Sequence, residues 1–140
     1  MSRDVTLAVA VVVRDENDRV LLVKENYGRR RWGLPGGELE PAESPAAAAV
    51  REAAEETCVQ VELLHLVAVY FLRTDRRRGL RFIFAARIVD SEPVVQPGDE
   101  ISELGWFAPD ALPSPMTHTA PHGVRDAVAG VRGAFREIDA

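Results

Sequence analysis

Cysteine and lysine are almost missing from this chain: Cys58 is the single thiol and Lys24 the single lysine in 140 residues. One cysteine excludes an internal disulfide framework and any cysteine-rich zinc site. It is also consistent with a reducing, cytoplasmic location. Long apolar runs are missing too. The stretch Thr6 to Val13 falls far short of the ~20 residues of a membrane helix. It is followed by Arg14-Asp15-Glu16, where an export signal would carry a small-residue cleavage site. No membrane association is expected. Positive charge is in deficit as well, because 17 Lys and Arg against 22 Asp and Glu leave a net charge of −5. A protein that wraps duplex nucleic acid needs the opposite balance, so that partner is excluded. The preference for arginine is one that a GC-rich genome produces, and it says little about a ligand.

What remains is an ordinary globular composition, 46% hydrophobic and 28% charged, at a length suited to a single domain over residues 1–140. Thr6 to Val13 is a β-branched run and reads as a buried strand. Asp15 to Asp18 is a turn, and Arg19 to Lys24 returns, so a hairpin is expected to open the chain. Glu25 to Arg31 reads as a loop and Trp32 to Leu34 as a short strand. Pro35-Gly36-Gly37 stops that strand, and a loop follows from Glu38 to Glu43. Ser44 can cap a helix with Pro45 in its first turn, running through Thr57. Val59 to Arg73 and Leu80 to Val89 form a strand pair around the turn 74–79. Asp90 to Ser102 is an acidic loop and Leu104 to Phe107 a short strand. Pro109 to Pro121, with four prolines, cannot stay regular. A closing helix is expected from about Val124 to Glu137. Strands, helix, strands, helix make an α+β fold with a mixed sheet.

The first helix carries the chemistry. Glu52, Glu55 and Glu56 stand at i, i+3 and i+4 and share a face, while Ala46, Ala47, Val50, Ala53, Ala54 and Thr57 are expected to form an opposite, apolar face. Like charges so spaced repel; a divalent cation with hard oxygen ligands reverses that. An acidic solvated face is the competing reading, until the upstream residues are added. The string Gly37-x5-Glu43-x7-Arg51-Glu52-Ala53-Ala54-Glu55-Glu56-Thr57-Cys58-Val59 closely resembles the Nudix box, G-x5-E-x7-R-E-U-x-E-E-x-G-U. Six polar or glycine positions match, at chance odds of roughly one in 10⁵. Ala53 is small at a bulky position, and Cys58 replaces the final glycine. The lead-in Trp32 to Gly37, and Gly105-Trp106-Phe107 followed by Asp110-Ala111-Leu112-Pro113, also resemble Nudix hydrolases.

The resemblance implies a Nudix α/β/α sandwich with a mixed sheet and a loop–helix–loop motif. It implies Mg²⁺- or Mn²⁺-dependent cleavage of a diphosphate bond in a small-molecule nucleotide. By position, Glu52 and Glu56 are the principal metal ligands, Glu55 assists, and the Gly37 carbonyl is a further ligand. Arg51 pairs with Glu43 or Glu55. The base that takes the water's proton is Glu52, or one of the later acids Asp99, Glu100 and Glu103, among which Glu100 is preferred. Gly36 and Gly37, without Cβ, let the backbone approach phosphate or metal and adopt φ > 0. Arg31 and His118 are candidate substrate contacts. Arg76, Arg77 and Arg78 are expected to form a solvated turn. Tyr27, Trp32, Tyr70 and Phe71 could stack on a base, but as strand aromatics they are expected in the core; Cys58, at the negative end of a helix, is not a nucleophile. A nucleoside triphosphate is favoured over a nucleotide sugar such as ADP-ribose, because no proline stands about fifteen residues past the box. A non-catalytic, nucleotide-sensing Nudix domain is the rival reading. Homodimerisation is left open.

Overall fold

The computed structural model describes residues 5–90 and 100–139. The β-branched run forms β1 (Val5–Val13), buried from Ala8 onward. It pairs in parallel with β6 (Arg78–Asp90) and antiparallel with the short β4 (Gly36–Glu38). Next to β6 lies antiparallel β5 (Gln60–Arg73), and β8 (Ala134–Asp139) runs parallel to β5 at the far edge. These strands make a mixed sheet in the order β4-β1-β6-β5-β8. A second, antiparallel sheet holds β2 (Val20–Glu25) between β3 (Trp32–Gly33) and β7 (Ile101–Phe107). The helices are α1 (Pro45–Thr57) and α2 (Ala120–Val128).

Alternation along β1 sorts the interior into two cores, since successive side chains of a strand point to opposite faces. Val9, Val11 and Val13 pack with Ala48, Ala49, Ala53 and Val59, against α1. Ala10 and Val12 pack with Leu22, Trp32, Tyr70, Ile83 and Val124, against α2. A helix thus covers each face of the mixed sheet, the α+β sandwich that the motif implies. Trp32 and Tyr70 are core residues as expected, whereas Phe71 is half-buried and Tyr27, outside any strand, is exposed at the cleft. No helix among the described residues is long and apolar enough to cross a membrane.

Four local expectations are corrected. The opening hairpin does not form as a strand pair. Asp15 does close a turn, its carboxylate accepting the N–H groups of Asn17 and Arg19 at 2.9 Å each. Beyond one bridge between Arg14 and Val20 the strands part, because both edges of β1 are already taken by β4 and β6 and β2 must pair elsewhere. Gly36 to Glu38, read as turn and loop, is an edge strand. The β7 strand begins at Ile101, three residues before the expected Leu104. The closing helix runs from Ala120 to Val128, starting four residues before the expected Val124 and inside the proline-rich stretch, and residues 134–139 form β8 instead. Gly130 and Gly133 have φ of +77° and +64°, a backbone turn no α-helix continues through, and it delivers the chain to the free edge of β5.

Candidate active site

The first helix forms where its signals stand. Ser44 is extended (φ −78°, ψ 158°) and its Oγ accepts the Ala47 N–H at 3.1 Å, with Pro45 in the first turn. The buried stripe, however, is Ala48, Ala49, Ala53 and Thr57, while Ala46 and Ala47 are exposed. Ala48, Glu52 and Glu56 follow one another at i, i+4, i+8, so the two glutamates continue the buried stripe instead of facing away from it. Their stripe meets β4, whose glycines make room; as strand residues, neither Gly36 nor Gly37 takes the expected positive φ. A Cβ on Gly37 would collide with the Glu52 carboxylate, and one on Gly36 with the Val9 carbonyl. The Gly36 N–H donates to Glu56 Oε1 at 3.0 Å.

Glu52, Glu56 and Glu100 line a single cleft of about 630 Å³, together with Gly36, Gly37, Arg31 and His118. Residues predicted from five separate parts of the chain therefore meet in one cavity. Burial raises the Glu56 carboxyl to about 8, with the nearby Glu52, Glu100 and Glu55 charges adding to it and the Gly36 N–H opposing it. Glu52 is raised for the same first reason, with Arg51 lowering it and Glu55 and Glu100 raising it. Burial and mutual repulsion disfavour the charged forms of both carboxyls, and a cation bound between them would offset that.

Arg51 and Glu55 lie outside the cleft lining. The Arg51 guanidinium donates Nε to Glu43 Oε2 at 2.7 Å and Nη2 to Glu43 Oε1 at 3.0 Å. It also donates Nη1 to Glu55 Oε1 at 2.9 Å and to Glu52 Oε2 at 3.4 Å, and Nη2 to the Glu38 carbonyl at 3.2 Å. Both expected partners, Glu43 and Glu55, are engaged at once. Arg51 thereby ties the loop after β4 to α1 and orients Glu52 from behind.

The other predicted residues divide. Of the late acids, Glu100 lines the cleft with Glu52 and Glu56, Glu103 pairs with Lys24 at 3.5 Å, and Asp99 lies outside the described residues. Arg31 reaches the cleft but is gripped by Glu25, with Nε–Oε1 at 3.1 Å and Nη2–Oε2 at 3.3 Å. His118 donates Nε2–H to the Asp139 carbonyl at 2.6 Å. Arg76, Arg77 and Arg78 are exposed, the first two in the β5–β6 turn and Arg78 as the first residue of β6, so the turn is shorter than the expected 74–79. Sequence reasoning missed Arg81, Glu38, Leu72 and Thr119, which also line the cleft. For Arg81 a signal existed: it is a lone charge between Leu80 and Phe82 in an apolar strand.

As a cation site, the donor set is chemically right, all hard oxygen with mutual repulsion to relieve. Among the described residues no three such side chains already converge as a ready-made cage. Glu56 is turned to the Gly36 N–H, and Glu52 and Glu55 to Arg51. The residues fit a divalent ion that keeps several of its waters, as Mg²⁺ does.

A NUDIX domain model matches residues 4–127, and the chain belongs to the Nudix hydrolase family. It is 31% identical over 121 residues to a putative 8-oxo-dGTP diphosphatase of Bacillus subtilis, covering 86% of this chain and 78% of that protein. It is 43% identical over 113 residues to diphosphoinositol polyphosphate phosphohydrolase 3-alpha of Mus musculus, covering 77% and 66% respectively. Among solved structures it resembles a MutT NUDIX hydrolase from Burkholderia pseudomallei, with a TM-score of 0.79, 28% identity, and 87% and 97% of the two chains covered. The chain is a Nudix pyrophosphohydrolase, an enzyme acting on phosphoanhydride bonds.

Proposed function

We propose that this enzyme hydrolyses a nucleoside triphosphate to the monophosphate and pyrophosphate, with Mg²⁺, or Mn²⁺ in its place, held by Glu52, Glu55, Glu56 and the Gly37 carbonyl. The observation that carries the reading is the meeting of Glu52, Glu56 and Glu100 with the Cβ-free edge of β4 in one cleft. A bound divalent cation neutralises the charge that builds on the leaving phosphate. Water attacks phosphorus, one P–O–P bond breaks, and the water's proton passes to a carboxylate. Glu52 is the preferred base because Arg51 and Gly37 fix its position; Glu100 is the alternative. Gly36 and Gly37 admit the phosphates to the backbone. Arg31, braced by Glu25, and His118 stand where they can contact substrate.

The number of cations bears on the substrate. Among the described residues the lining offers Arg31, Arg81 and His118 as basic side chains, against Glu25, Glu38, Glu52, Glu56 and Glu100. A densely phosphorylated inositol, the substrate named for the mouse relative, calls for more basic side chains than that. One diphosphate neutralised by metal suits the balance better, as does the nucleoside triphosphate named for the B. subtilis relative. The rival that fits the family without this chemistry is a nucleotide sensor, and the complete set of box glutamates speaks against it. Nucleoside triphosphates, ADP-ribose and a diphosphoinositol polyphosphate should be assayed with Mg²⁺, with pyrophosphate or phosphate detection. Triphosphate turnover abolished by EDTA is the expected result. Undiminished turnover in excess EDTA, or preference for either other substrate, overturns the proposal.

A further inference from the structure

The cleft has a second polar grouping, on the sheet face away from α1. Arg81 of β6 is registered beside Ala8 of β1, and Ala8 beside Glu38 of β4. Residues so registered share a face, and two strand spacings put the outer pair about 10 Å apart at Cα. Arg81, Ala8 and Glu38 all line the cleft, as does Ala10, the next residue of β1 on that face. Between the guanidinium and the carboxylate the floor is therefore alanine, with only methyl groups rising from it.

Arg81 is poorly satisfied there. Its Nε is wholly buried and meets no hydrogen-bond partner. Burial disfavours its charge, and Glu38, close enough to be felt, is the opposite charge that favours it. A buried donor left unmet costs free energy that a ligand acceptor recovers. The acceptor sought is not another phosphate, because Glu38 would repel it and the diphosphate already has its place beside α1. It is a flat, uncharged group that offers acceptors to Arg81 and donors to Glu38. Guanine has this pattern: O6 and N7 accept an arginine fork, the commonest specific arginine–base pairing, while N1–H and the 2-amino group on the adjoining edge suit a carboxylate. Adenine turns a 6-amino donor toward the guanidinium instead.

We propose that Arg81 and Glu38 determine base specificity, gripping a 6-oxopurine of the guanine type over the alanine floor of β1. The proposal rests on the diphosphate-hydrolase reading of the same cleft. The test compares wild type, Arg81→Gln and Glu38→Gln on GTP, ATP and methyl triphosphate, which has no base, with melting curves to confirm the fold. Each substitution should lower kcat/KM for GTP about 10–100-fold, chiefly through KM, leaving ATP and methyl triphosphate within about twofold. Calorimetric binding in EDTA supplies a readout independent of turnover: wild type should bind GMP more tightly than AMP, and Arg81→Gln should lose the difference. Equal losses on all three triphosphates would make Arg81 a phosphate contact, and unchanged GTP kinetics would remove it from recognition; either overturns the proposal. Wild type inert toward every triphosphate would overturn the hydrolase reading instead, and the GMP–AMP comparison would still decide the base grip.

Discussion

At Cys58 the backbone takes φ 62° and ψ 26°, and its N–H donates to the Ala54 carbonyl, closing α1. A left-handed residue with a Cβ carries roughly 1–2 kcal/mol that glycine avoids. Glycine gives back part of that through a more flexible unfolded chain, about 0.5–1 kcal/mol. Strain relief is the larger effect, so Cys58→Gly should melt roughly 3 °C higher, with activity unchanged because Cys58 is absent from the cleft lining. A lower melting temperature would mean that the half-buried thiol packs for more than the strain costs. Glu52 poses the other residue-level question, that of the base. Glu52→Gln keeps shape and removes the charge, and kcat at saturating Mg²⁺ should fall about 10²–10⁴-fold. Retention of more than about a tenth of the rate would move the base to Glu100, to be assayed next as Glu100→Gln. Both residues were legible in the sequence because their spacing is fixed by a helix and its cap. Arg81 was not singled out: its place between Leu80 and Phe82 marks it as unusual, but its partners Ala8 and Glu38 come from register with strands more than forty residues away, which no local pattern encodes.

Elements that interlock locally are the ones the chain announces in advance. Ser44, Pro45 and the unbroken run to Thr57 define α1 without help from the rest of the molecule. The strand β4 is the contrary case. Pro35-Gly36-Gly37 carries turn chemistry, and only the open edge of β1 makes it a strand. The same holds for β8: residues 134–139 have no strong preference, and the parallel pairing with β5 decides, secured by Arg136 donating to Asp126 at 2.7 and 3.0 Å. Tyr70 donates to the same carboxylate at 2.6 Å, so α2, β5 and β8 are pinned together. The contact of β4 with α1 can be tested directly. Gly37 needs no special backbone angle, so Gly37→Ala should fold, yet its methyl would displace the Glu52 carboxylate. A displacement near 1 Å at a reacting group costs on the order of a hundredfold. Gly37→Ala should therefore lose about that factor in kcat with a melting temperature close to wild type. Full activity would show that Glu52 can move aside without consequence, and would remove it from the chemistry.

For the molecule as a whole, the acids of the cleft set how stability depends on pH. In the folded protein, burial first, then Glu52, Glu100 and Glu55, lift the Glu56 carboxyl from the ordinary 4.5 to about 8. Between those values the folded state holds a proton that the unfolded chain has released, so stability falls as pH rises through that window. A divalent cation prefers the ionised form and reverses the trend, with proton release on binding. Metal-free wild type should accordingly melt lower at pH 8.5 than at pH 5. Glu56→Gln, whose amide oxygen can still accept the Gly36 N–H, should flatten that slope, matching wild type near pH 5 and melting several degrees above it at pH 8.5. Mg²⁺ at about a hundredfold over its Kd contributes ~2.7 kcal/mol. At pH 8.5 it should raise the wild-type melting temperature by roughly 5–10 °C and that of Glu56→Gln by much less. Melting curves of both proteins, with EDTA or Mg²⁺ at the two pH values, decide the matter. If the variant keeps the wild-type slope, Glu56 is not the group that titrates; if Mg²⁺ stabilises both proteins equally, the cation is held elsewhere.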